Sequence, residues 1–118
     1  MPLQDELFSI EEGFWLSGAD HFAAHLDSRC LLAFPQAGEM HGIHSAEHVA
    51  ATATPDNRWR DLTMTDRHTL EPTDGLAIIS YRADVTRADG QLYAAIVSSA
   101  YVRRGEEWKL AFHQHSPV

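Results

Sequence analysis

A chain of 118 residues is one domain's worth of sequence, and 44% apolar with 22% charged residues is a globular balance rather than a disordered one. Nine basic against seventeen acidic residues give a net charge of −8, which leaves no basic footprint for nucleic acid or an anionic membrane. Eight histidines match that charge in number, so protonating all of them would bring the chain to about neutrality below roughly pH 6.5.

Leu3, Leu7, Ile10 and Phe14 recur at helical spacing, with Asp5, Glu6, Glu11 and Glu12 off the stripe, and predict a first helix stopped by Gly18. Asp20 can cap a short second helix carrying Phe22, Ala23 and Leu26. The apolar run 29–34 is too short for a helix and reads as a strand. A turn follows at 35–38, then a return strand at 39–43. Ser45, with Glu47 in the first turn, opens a third helix that Thr-Pro-Asp-Asn at 54–57 ends. Segments 62–71, 75–86, 91–103 and 107–115 are rich in Val, Ile, Thr, Tyr and Phe. Pro-Thr-Asp-Gly, Ala-Asp-Gly and Arg-Gly-Glu separate them, so they predict a four-stranded antiparallel meander. Helices first and a long sheet afterwards make a single α+β domain spanning 1–118.

Cys30 is the sole cysteine and lies in an apolar run, so it reads as a small buried hydrophobe. The first residues lack the basic and apolar regions of a secretory leader, and no stretch approaches the ~18 apolar residues of a membrane span. The expectation is a soluble cytoplasmic protein.

Three stretches carry a resemblance to a known family. They are the opening helix with Ser-Gly-Ala-Asp at 17–20, the segment Leu31–His48, and the tail Gly-Glu-Glu-Trp-Lys-Leu-Ala-Phe-His-Gln-His-Ser-Pro at 105–117. In this order they resemble the NTF2-like superfamily in its SnoaL-like/DUF4440 branch. The resemblance implies a cone: three N-terminal helices packed on a strongly bent antiparallel sheet around a pocket, often in a homodimer joined through the sheet. Superfamily functions run from cofactor-free isomerases, dehydratases and cyclases to ligand carriers and association modules, so the fold alone does not give the function.

Strand alternation sorts the meander into two faces. A four-residue turn at 72–75 places Asp66 and His68 beside Ala77, Ile79, Tyr81 and Ala83, on the interior. Tyr93, Val97, Ser99 and Tyr101 join them, as do Trp108, Leu110, Phe112 and Gln114 of the last strand. The expected ligand-binding set is therefore Trp15 (as core or lid), Tyr81, Ser99, Tyr101, Trp108, Phe112 and Gln114. Leu92, Ala94, Ile96 and Val102 fall on the outer face, too apolar to stay wet, and are the expected homodimer surface.

Asp66 and His68 form the candidate catalytic pair, since a carboxylate beside an imidazole fixes its tautomer and raises its basicity. His113 and His115 fall on the outer face in this reading. His41, His44 and His48 do not share one helical face, and His21 with His25 makes at most half a site, so no metal is expected. No cofactor motif is present: there is neither a Gly-x-Ser-x-Gly elbow nor a Gly-rich phosphate loop. Three functions fit: binding of a small, largely apolar molecule in the cone, cofactor-free acid–base catalysis through Asp66 and His68, or homodimerisation with a filled cone.

Overall fold

The computed structural model describes residues 2–34, 41–54 and 58–118. The expected turn at 35–38, the start of the return strand at 39–40 and the helix terminator at 55–57 lie outside the described residues. Helix α1 spans Leu3–Leu16 and α2 spans Ala19–His25. Strands β1 (Leu26–Ala33) and β2 (Gly42–Ser45) lead to helix α3 (Ala46–Ala51). The expected cap is present there, since the Ser45 hydroxyl accepts the His48 N–H at 3.1 Å. The meander follows as β3 (Asp61–Thr73), β4 (Leu76–Thr86), β5 (Leu92–Arg104) and β6 (Glu107–Pro117).

Close contact of α1 with α2 depends on Gly13. The His21 ring lies over it, where a Cβ would stand 2.2 Å from the ring, and His21 Nε2 is 2.9 Å from the Ile10 carbonyl. Phe14 meets the same ring edge-on with centroids 4.9 Å apart. His21 is thus half-buried packing material rather than a solvated surface group.

The six strands form one curved sheet in the order β2-β1-β6-β5-β4-β3. The four meander strands are antiparallel as expected, but β1 runs parallel to β6, so the whole sheet is mixed. The β3–β4 turn is also tighter than expected. Thr73 pairs with Leu76, so Asp74-Gly75 alone make the turn. Glycines with φ of 91° and 66° serve the other two turns at Gly90 and Gly105, a region that a Cβ makes costly.

Alternation on β4 and β5 follows the expected faces: Ala77, Ile79, Tyr81 and Ala83 are buried beside Val97, Ser99 and Tyr101. Two irregularities then change the faces on the outer strands. On β3, Thr65 pairs with Arg82 but His68 pairs with Ser80, so two residues oppose one. Asp66 supplies the left-handed backbone of this bulge, with φ of 51°, which a short polar side chain tolerates. On β6, Leu110 pairs with Tyr101 and Phe112 with Ala100, which leaves Ala111 as the extra residue. Beyond each bulge every side chain changes face.

Candidate functional site

Glu11 of α1 is fully buried. An isolated carboxylate in that position would cost several kcal/mol, so its charge must be met locally. The sheet supplies the donors: Tyr81 Oη donates to Oε2 at 2.6 Å, Ser99 Oγ to Oε2 at 2.7 Å, and Tyr101 Oη to Oε1 at 2.5 Å. His113 Nδ1 lies 3.4 Å from Oε2. Burial acts to raise the Glu11 carboxyl, but His113 and the two phenol bonds outweigh it and hold the group below its ordinary value. Burial first, and then the Glu11 charge, push both phenols well above theirs. Trp15 Nε1–H donates to Tyr81 Oη at 2.8 Å and fixes that phenol from the other side.

A chain of polar contacts leaves this carboxylate toward the surface. Ser99 Oγ lies 2.7 Å from His113 Nδ1, His113 Nε2 lies 2.9 Å from His115 Nε2, and His115 Nδ1 lies 3.3 Å from Tyr93 Oη. The proton positions follow by elimination. A carboxylate only accepts, so the one Ser99 proton goes to Glu11 and Ser99 Oγ must accept from His113 Nδ1–H. His113 Nε2 therefore faces His115 either as an acceptor, with the pair neutral, or as a donor, with the pair holding one added proton. Burial, and then the charge on His113, push His115 down to about 3, so the pair refuses a second proton at neutral pH.

Aromatic rings enclose the outer end of the chain. Trp15 stacks on His115 with centroids 5.0 Å apart and planes 8° from parallel, and Phe34 tilts over the same ring at 4.9 Å. Trp59 stacks on Tyr93 at 5.5 Å and leans on Trp15 at 5.1 Å. Phe34, Trp59, Tyr93 and His115 are all half-buried, so this aromatic wall meets solvent while Glu11 does not.

The bulges relocate several expected site residues. Asp66 and His68 are hydrogen-bonded to each other at 2.9 Å, as their spacing implies, but their side chains are 75% and 71% exposed. The β3 bulge turns His68 to the outer face opposite Ser80, so the pair stands outside the cone. Phe112 and Gln114 pair with Ala100 and Ser98 and also lie on the outer face, because Ala111 shifts the alternation by one. The same shift carries His113 and His115 inward, opposite Ser99 and Val97, against the expected orientation. Tyr81, Ser99 and Tyr101 do converge, but on Glu11, with Trp15 bonded to Tyr81, and the phenol protons are committed to that carboxylate. Trp108 is buried opposite Arg103, roughly 15 Å along the strand from His113.

Glu11 was legible through a wider stripe. At about 100° per residue, Phe8 and Trp15 extend the face of Leu7 and Phe14 to an arc of roughly 120°, and Glu11 falls at its middle. All five residues are buried.

Neither a family model nor a curated protein sequence matches the chain. Solved structures do. An NTF2-like protein from Cytophaga hutchinsonii superposes with a TM-score of 0.81 at 12% identity, covering 100% of both chains. A candidate ketosteroid isomerase from Parabacteroides distasonis gives 0.77 at 15%, covering 99% of this chain and 89% of that one. A candidate calcium/calmodulin-dependent kinase II association domain from Exiguobacterium sibiricum gives 0.75 at 18%, covering 97% and 89%. Three helices on a curved six-stranded sheet, with this likeness over nearly the full length, give the chain the NTF2-like fold.

Proposed function

We propose that the protein binds a small, largely apolar molecule against the aromatic wall of Phe34, Trp59 and Tyr93, and that the His113–His115 pair exchanges a proton with it. The observation that carries this reading is the unbroken chain from half-buried His115 to buried Glu11. A fold that needed only a packed core would place an apolar side chain at position 11 at lower cost. The chain resembles an acid–base device: Glu11 and Ser99 fix the His113 tautomer, and His115 presents the exchangeable position beside flat apolar surfaces. Isomerase, dehydratase and cyclase chemistry each require such a group.

The neutral enolisable ketone 2-tetralone tests both parts. It should quench tryptophan fluorescence on binding, and its α-protons should exchange with deuterated solvent faster than in buffer alone. His115→Gln should remove the acceleration. Neither quenching nor acceleration in the wild type would overturn the reading.

A second copy of the chain is the proposed partner for the outer sheet face, where Leu92 is 85% and Ile96 37% exposed beside Ala94 and Val102. Ile96→Lys should raise the monomer fraction in sedimentation, and an unchanged distribution would remove this assignment.

A further inference from the structure

Resting on the binding reading above, we infer that the preferred ligand is an anion: a flat apolar body bearing one carboxylate, met by Arg87 at the rim of the aromatic wall. The Arg87 guanidinium lies over both rings of the stacked pair, 5.3 Å from the Trp59 centroid and 5.0 Å from that of Tyr93. Its backbone is fixed in the turn before β5, with Arg87 N–H donating to Gln91 O at 2.8 Å and Gly90 N–H to Arg87 O at 2.9 Å. Arg82 and Arg104 are paired with Asp84 and Asp27, and Arg58 bonds to the carbonyls of Phe14 and Ser17. Among the described residues no carboxylate lies within 4 Å of Arg87, although the chain carries a net charge of −8.

The buried acid behind the wall is already answered. Glu11 is enclosed by Tyr81, Ser99 and Tyr101 as donors with His113 at 3.4 Å, so it takes no further cation. The reachable end therefore presents Arg87, the imidazole of His115, the phenol of Tyr93 and the half-buried rings of Phe34 and Trp59. These favour a planar π system whose carboxylate meets the guanidinium fork. A cationic ligand would be repelled by Arg87.

Isothermal titration with 2-naphthoate and its neutral isostere 2-naphthamide separates the two levels of inference. We expect naphthoate to bind at least tenfold more tightly, with the preference shrinking as salt is raised. Arg87→Gln should abolish the preference, and Arg87→Lys should keep part of it. If naphthamide binds as tightly as naphthoate, or if Arg87→Gln keeps the full preference, the anion inference falls and the aromatic-binding reading stands. If neither compound binds the wild type, both fall.

Discussion

His115→Phe should flatten the acid side of the stability curve. In the fold His115 sits between Trp15 and Phe34, and its protonation is pushed down to about 3 from an ordinary 6.5. The unfolded chain therefore binds a proton that the native state refuses between those two values, and stability falls with pH only in that window. Linkage gives a loss of about 2 kcal/mol between pH 8 and pH 5, and about 3 kcal/mol by pH 4. His25, whose protonation is lowered by burial and by His21, has the same sign but is common to wild type and variant. Phenylalanine keeps the stack on Trp15 and leaves His113 Nε2 without its partner, which costs about 1–3 kcal/mol at pH 8. Urea titrations at pH 8, 6, 5 and 4 should show the variant less stable at pH 8 and the two curves converging on acidification. His115→Gln, which can still donate to His113, should converge likewise. Parallel curves for both variants would refute the assignment of His115 as a histidine held neutral by its surroundings.

Other perturbations separate the remaining elements of the structure. Glu11→Gln leaves one amide oxygen for three hydroxyl donors, so Tyr101 or a neighbour loses its acceptor at a cost of about 1–3 kcal/mol by urea denaturation. Because the native Glu11 carboxyl lies below its ordinary value of 4.5, its contribution is present above that value and lost as pH falls through the lower native one. The variant should lack that acid limb. Gly13→Ala should destabilise the wild type, where the His21 ring blocks the Cβ, yet stabilise His21→Ala by about 1 kcal/mol through helix propensity. The same sign in both backgrounds would refute the contact. Deletion of Ala111 should be tolerated at under about 2 kcal/mol, since Leu110 opposite Tyr101 and Phe112 opposite Ala100 then form a regular ladder. A chain unable to fold without Ala111 would count against the bulge.

The order of elements was legible because each rests on local chemistry. Apolar periodicity marked α1, the Ser45 hydroxyl marked α3, and Asp-Gly and Arg-Gly pairs marked the hairpins. The central strands were legible face by face as well. β4 and β5 pair without interruption from Leu76–Val102 to Thr86–Leu92, so strict alternation carried Tyr81, Ser99 and Tyr101 to the interior. The parallel pairing of β1 with β6 had no comparable signal, because it joins segments about 80 residues apart with no turn between them.

The candidate site was less legible for a physical reason that its residues share. His113 and His115 enter the candidate site where the regular pattern breaks, and alternation is blind to a break. One extra residue at Ala111 moves His113 and His115 inward and Phe112 and Gln114 outward, and nothing in Leu-Ala-Phe announces it. Asp66 is the same case on β3, where a left-handed residue in an ordinary-looking strand turns His68 to the outer face opposite Ser80. Glu11 fails for a complementary reason: hydrophobicity scores a carboxylate as exposed, whereas three hydroxyl donors on β4 and β5 make its burial tolerable. Those donors face inward on uninterrupted strands, so Tyr81, Ser99 and Tyr101 already formed a buried set of O–H groups without an acceptor. A buried donor set requires an acceptor, and the centre of the α1 arc is the position from which a carboxylate meets all three.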